Sequence, residues 1–129
     1  MLRAGLLVSL MIAGSAACAP PSTAGGTRTS NQIITEDQIV SSRLMTVYDV
    51  IRKYNPSFLT ARQVGRTRVA YPDIYVDEVA LGYVDSPPDA LKSMNVAQIV
   101  EIRLYRGGEV PPRYGGGHTV GLIAITTRR

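Results

Sequence analysis

The C-terminal segment, residues 99–129, constrains the fold of this chain more than any other part of it. In residues 99–105, Val100, Ile102 and Leu104 alternate with more polar residues, which predicts a strand with one buried and one wetter face. Residues 120–127 form an almost wholly apolar run, as expected of a central strand. A glycine-rich connection joins the two runs. The pattern therefore predicts a domain built on a sheet, with these two runs as its last two strands.

Two helix starts lie upstream. Thr35 and Gln38 have the spacing of a capping box at the start of a short helix that takes in Ile34 to Ile39. A second helix begins after Thr46, and its apolar residues recur at helical spacing. These residues are Val47, Val50, Ile51 and Tyr54. We expect Pro56 to end this helix, because the residue before a proline avoids the helical region.

A hairpin is predicted over residues 74–81, where two β-forming runs flank Asp77 and Glu78. Residues 61–71 alternate weakly and fit either a loop or an edge strand. A short helix is expected around residues 89–93. The predicted fold class is therefore α/β of the α+β type, with short helices packed on a mixed sheet that contains the hairpin and the closing strand.

The N-terminus has the features of an export signal over residues 1–17. Arg3 precedes an apolar run at residues 4–14, which is only about half as long as a membrane-spanning helix. Cys18, the only cysteine, follows three small residues and resembles a bacterial lipobox, so we expect it to carry a lipid. A chance cysteine beside an ordinary cleavage site after Ala17 is the alternative.

Residues 18–33 hold this anchor cysteine and a tether rich in Pro, Gly, Ser and Thr, which we expect to be disordered. The folded domain is predicted to occupy residues 34–129. A formal net charge of +4, without a nucleic-acid motif, is interpreted as solvated surface charge and not as a nucleic-acid interface.

Motifs for catalysis and metal binding are missing from the sequence. The glycine clusters lack the lysine of a phosphate-binding loop, and no G-x-S-x-G elbow presents a serine. One histidine and one cysteine cannot supply the three or four ligands of a zinc site. The acidic residues near the hairpin lack calcium-loop spacing and are interpreted as turn-forming; they are Asp73, Asp77, Glu78 and Asp85. We expect no enzyme activity, no metal and no cofactor.

Three pieces of the sequence resemble the plug domain of TonB-dependent outer-membrane receptors. TVYDVIRKYNPSFL is similar to the helix before a family loop, and PDIYVDEVAL to the family's "P.VYVDGV" hairpin. MNVAQIVEIRLYRGGEVPPRYGGGHTVGLIAITTRR is similar to the block that closes the plug. The resemblance covers residues 34–129. Glu78 stands where the family has glycine, so we expect a wider or strained turn.

In those receptors the plug occludes a barrel, helps to bind the substrate and responds to TonB. Here the sequence ends at the closing strand, so the resemblance implies a stand-alone plug-like domain. We expect a non-enzymatic envelope protein, anchored at the outer membrane through Cys18, facing the periplasm and acting through contacts with an envelope protein. The alternative is a soluble periplasmic protein that binds a small molecule or metal chelate in a pocket near residues 115–118.

The candidate partner or ligand loop lies between the two closing strands. It comprises Arg113, Tyr114, Gly115, Gly116, Gly117 and His118. Tyr114 matches the family's "YG" position, where the resemblance implies that the aromatic ring packs against the sheet.

Overall fold

The computed structural model describes residues 32–81 and 87–129. The export signal, Cys18, most of the tether and Asp85 lie outside these residues. The described chain forms a five-stranded mixed sheet, three α-helices and a separate two-stranded ribbon. The predicted α+β fold class is therefore confirmed.

The sheet has the strand order β1-β6-β7-β4-β5. The strands are β1 (Gln32–Thr35), β4 (Asp73–Val76), β5 (Val79–Ala80), β6 (Ile99–Arg106) and β7 (Gly121–Thr127). β7 runs antiparallel to β6 and parallel to β4. The two closing strands are therefore neighbours, and β7 is central, as its apolar run predicts.

The helices pack on one face of the sheet. They are α1 (Glu36–Ser42), α2 (Val47–Tyr54) and α3 (Pro87–Ser93), with 3-10 turns at Pro56–Phe58, Val96–Gln98 and Pro112–Tyr114. Both predicted caps form: the Gln38 side chain accepts from the Thr35 amide at 3.0 Å, and the Thr46 hydroxyl accepts from the Asp49 amide at 3.2 Å. Within the described residues, no helix is long and apolar enough to span a membrane.

The main core lies between these helices and the sheet. Its buried members from the sheet are Ile34, Ile74, Ile99, Ile102, Leu104, Ile123 and Ile125, and from the helices and turns Ile39, Val47, Val50, Ile51, Phe58 and Leu91. Every strand of the sheet except the two-residue β5 contributes to this cluster. Burial of this apolar surface is the main stabilising contribution to the domain.

The opposite face of the sheet is covered at one end. Tyr105, Leu122 and Ala124 are buried there beneath Tyr114 and Val110. Tyr105 lies on the face of this strand that the alternation predicts to be the wetter one, but it is buried, because the loop after β6 folds back over this face. Val100, expected in the core, is only partly buried, because the β6–β7 pairing shifts register between Ile99 and Glu101.

β1 is absent from the elements that the sequence predicts. The predicted tether includes Gln32 and Ile33 and the predicted helix start includes Ile34, but these residues pair antiparallel with β6, with Ile34 opposite Ile102. Four residues are too few for a period-two pattern to stand out from the sequence. The ordered domain therefore begins at least two residues earlier than expected.

Residues 61–71 form neither a loop nor an edge strand of the main sheet. They contain β2 (Arg62–Val64) and β3 (Arg68–Ala70), which pair with each other as a separate ribbon. No residue of either strand is buried. Their weak alternation reflects this position, because neither face of the ribbon is fully covered.

The predicted hairpin forms, and its turn keeps two residues. Asp77 and Glu78 both have positive φ, 48° and 69°, so the turn is strained and not widened. The Asp77 carboxylate accepts from the Thr127 amide at 2.9 Å and from its hydroxyl. These bonds lower the pKa of Asp77 and attach the turn to the end of β7.

Gly121 lies at a close approach between the two closing strands. Its φ is 131°, and a Cβ there would lie 2.5 Å from the Tyr105 carbonyl oxygen. Only glycine fits without movement of the backbone. This close approach aligns β6 with β7 as the chain re-enters the sheet.

Candidate functional site

A groove with a volume of about 610 Å³ lies between residues 115–118, here called the glycine loop, and the segment that leads from β3 into β4. Its wall includes Arg68, Tyr71, Asp73, Gly116, Gly117 and His118. The sequence placed only the last three in a candidate site. The groove is of mixed character, with apolar, aromatic and charged groups.

His118 joins the two walls of the groove. Its Nδ1 lies 2.6 Å from a carboxylate oxygen of Asp73 on β4, and its Nε2 lies 2.9 Å from the carbonyl oxygen of Tyr114. The His118 side chain is 10% exposed, whereas that of Asp73 is 57% exposed. The hydrogen bond to Asp73 is the main reason that the pKa of His118 is raised, and partial burial opposes it.

Three tyrosines support the glycine loop from beneath. The Tyr114 ring packs edge-on to Tyr75, with centroids 5.1 Å apart, and at a tilt to Tyr105 at 5.9 Å. The Tyr75 hydroxyl donates to the Tyr114 carbonyl oxygen at 3.0 Å. Tyr114 thus packs against the sheet, as the sequence resemblance implies, and its carbonyl accepts from both Tyr75 and His118.

Arg113 contacts two of the supporting tyrosines and does not line the groove. Its guanidinium lies over the Tyr114 ring at 4.9 Å and within 3.4 Å of the Tyr105 hydroxyl. Glu78 is 3.9 Å away, but both side chains are at least half exposed, so this ion pair contributes little. Of the six predicted site residues, Arg113 and Tyr114 therefore support the loop, residues 116–118 line the groove, and Gly115 connects the two parts without lining the groove.

Sequence reasoning missed Arg68 and Tyr71 and interpreted Asp73 only as a turn former. Asp73 and His118 are 45 positions apart, and the parallel pairing of β4 with β7 brings them together. No local spacing signals that contact. Among residues 32–81 and 87–129, no group of three or more His, Cys, Asp and Glu side chains is placed to hold a metal ion.

The β5 edge of the sheet is the other exposed feature near the groove. In the described chain β5 pairs only with β4, and Val79 and Leu81 are 69% and 39% exposed. Ala80, between them, lines the groove. An exposed edge with apolar side chains can accept an added strand.

No family model and no curated protein matches this sequence. Solved structures of outer-membrane receptors are similar in fold. The alcaligin receptor FauA from Bordetella pertussis aligns at TM-score 0.55 and 15% identity, over 77% of this chain and 18% of the receptor. The ferric enterobactin receptor PfeA aligns at TM-score 0.54 and 19% identity, over 78% and 18%. The ferric-catecholate import receptor Fiu from E. coli K12 aligns at 0.50 and 14%, over 76% and 14%.

The chain thus spans less than a fifth of each receptor's length. At these identities the likeness establishes the fold alone. These neighbours are transport receptors and not enzymes.

Proposed function

We propose that this chain is a non-enzymatic, plug-like domain that serves outer-membrane transport by contacting another envelope protein. The observation that carries the proposal is the fold: about three quarters of the chain aligns with part of each of several outer-membrane receptors. The N-terminal pattern supports export and lipid attachment at Cys18, which would hold the domain at the outer membrane, facing the periplasm.

The β5 edge is the proposed contact. Strand addition uses backbone hydrogen bonds for affinity and alternate side chains for specificity, and Val79 supplies an exposed apolar group on this edge. A photo-crosslinking residue at Val79 tests the contact in cells that make the full chain. Val40 on α1 is the matched control, since it is 70% exposed against 69% for Val79.

We expect Val79 to crosslink to one outer-membrane protein and Val40 to give no such product. Equal products at both positions, or none at Val79, would contradict the proposed contact. Anchoring is tested separately by mass spectrometry of the mature N-terminus. A lipid-modified Cys18 is expected, and a mature N-terminus at an unmodified Cys18 or at Ala19 would contradict lipid attachment.

The groove supports a second candidate function, binding of a small molecule or metal chelate. Its volume of about 610 Å³ lies in the range of small-molecule sites, and the similar receptors are named for alcaligin, ferric catecholates and ferric enterobactin. Titration with ferric chelates should raise the melting temperature if they bind the folded state, with the iron-free chelators as control. The absence of any shift would contradict this candidate and leave the contact at β5 unaffected.

A variant that blocks the groove tests whether the chelate binds there. Gly116 has no positive φ, and a Cβ there meets nothing within 4 Å, so Gly116→Trp fills the groove without backbone strain. This variant should lose the thermal shift while keeping the melting temperature of the unliganded protein.

A further inference from the structure

We propose that His118 is a protonation-controlled latch that holds the glycine loop against β4 and thereby sets the shape of the groove. The latch concerns regulation of the groove, so its functional consequence rests on the binding candidate above, while the latch itself does not. The inference depends on three observations: what the two ring nitrogens contact, how little else holds the loop, and which charges surround the ring.

The contacts of the ring define its protonation state. The Tyr114 carbonyl oxygen has no proton to donate, so His118 Nε2, at 2.9 Å, must carry one. Nδ1 lies 2.6 Å from an Asp73 carboxylate oxygen, which likewise accepts when ionised. Both bonds form together with an ionised carboxylate only if the ring is the doubly protonated imidazolium. The arrangement is therefore specific to the charged histidine.

The rest of the loop offers few other attachments. Its backbone bonds are local: the Gly115 amide donates to Pro112 at 2.9 Å, and the Thr119 amide donates to Gly117 at 2.9 Å. A Cβ at Gly115, Gly116 or Gly117 would meet nothing within 4 Å, so these positions face open space. Among the described residues, the His118 side chain thus links this loop itself to β4, while the Tyr75–Tyr114 hydrogen bond holds the residue that precedes the loop.

One charged group around the ring, the Asp73 carboxylate, favours the protonated form of His118. Asp73 from β4 is the carboxylate in contact, and Tyr75, also from β4, approaches ring to ring at 5.7 Å. Tyr114 contributes its carbonyl oxygen, which accepts from Nε2. Arg68 from β3 is the other charged side chain that lines the same groove in the described part of the chain. The raised pKa of His118 follows from the hydrogen bond to Asp73.

Loss of the proton breaks the arrangement. A neutral imidazole has one N–H, so it can donate either to Asp73 or to Tyr114 but not to both. The other nitrogen then directs a lone pair at an oxygen lone pair, which is repulsive. The glycine loop is released from one wall of the groove as the pH rises through the pKa of the folded protein. Gly117, next to His118, has a φ of 96°, and glycine can leave this conformation for others at little steric cost.

The test is an NMR titration of the full chain without ligand or partner, from pH 5 to pH 9. His118 is the only histidine, so its imidazole signals are unambiguous. We expect both ring nitrogens to be protonated at the acidic end, with a midpoint above the ordinary value of 6.5. The backbone amide signals of Gly116 and Gly117 should change with the same midpoint.

Asp73→Asn should lower the midpoint, because it removes the carboxylate that stabilises the imidazolium. Asp37→Asn on α1 is the control and should leave it unchanged, since Asp37 does not contact the ring. If the Gly116 and Gly117 signals stay constant through the His118 titration, or if Asp73→Asn leaves the midpoint in place, the latch is wrong. Because no partner or chelate is present, either failure would leave the proposed functions to their own tests.

Discussion

Substituting the two isoleucines of β1 one at a time tests whether these residues form a strand of the sheet or belong to a tether. Ile34 is 1% exposed and belongs to the main core, whereas its neighbour Ile33, on the opposite face, is 43% exposed. Ile34→Ala removes buried groups and leaves a cavity, which costs about 2–5 kcal/mol in well-packed cores. Since β1 is a four-residue edge strand whose surroundings can partly collapse, we expect the lower part of that range, about 2–3 kcal/mol.

For a domain of this size, each kcal/mol lowers Tm by roughly 4–8 °C, so Ile34→Ala should lower Tm by roughly 8–24 °C. Ile33→Ala loses the same β-propensity but much less burial, and we expect a cost of at most about 1 kcal/mol. Urea unfolding followed by circular dichroism measures both free energies. Two small and equal costs would show that residues 33 and 34 lie outside the sheet, and two large and equal costs would refute the assigned alternation.

Four further predictions follow from single contacts. Gly121→Ala should destabilise the fold by at least about 1–3 kcal/mol from backbone strain, plus its clash with the Tyr105 carbonyl, whereas Gly116→Ala should stay within about 0.5 kcal/mol in urea unfolding. The raised pKa of His118 implies a stabilising contribution that is fully present below the pKa of the unfolded protein and is lost as pH rises through the pKa of the folded protein. The melting temperature should therefore fall between pH 6 and pH 8, and Asp73→Asn should abolish that fall. The lowered pKa of Asp77 implies a stabilising contribution that is present above the pKa of the unfolded protein and is lost as pH falls through the pKa of the folded protein. Thr127→Val should therefore reduce the fall in melting temperature at acidic pH, and an unchanged fall would contradict this. Arg113→Ala should lower Tm by removing the group stacked on Tyr114, while Arg66→Ala, in the turn of the exposed ribbon, should not change it measurably.

The sequence predicts those elements whose local pattern and tertiary position agree. α2 has a capping threonine, an apolar stripe and a terminating proline, and it begins and ends where these residues indicate. β7 is apolar and buried from Gly121 to Ile125 because this part is covered on both faces, by the helices on one side and by Tyr114 on the other. The Asp77–Glu78 turn is predictable from the flanking runs despite its unfavourable residues.

The remaining features depend on contacts between distant residues. β1 exists as a strand because β6 pairs with it, and its four residues carry no periodic signal of their own. Tyr105 is buried because the chain returns over it at Tyr114. The groove requires β4 and β7 to run in parallel, which places Asp73 beside His118, and nothing in the local sequence of either residue specifies that pairing.

The central claim is that β6 and β7 are antiparallel neighbours in one sheet, with β4 parallel to β7 on its other side. Interstrand proton contacts in the NMR spectra of the full chain measure this directly. The structure predicts backbone contacts between Ile102 and Ile125, and between Tyr75 and Ala124. The absence of both sets, or contacts that place residues 99–106 and 121–127 in different sheets, would contradict the account.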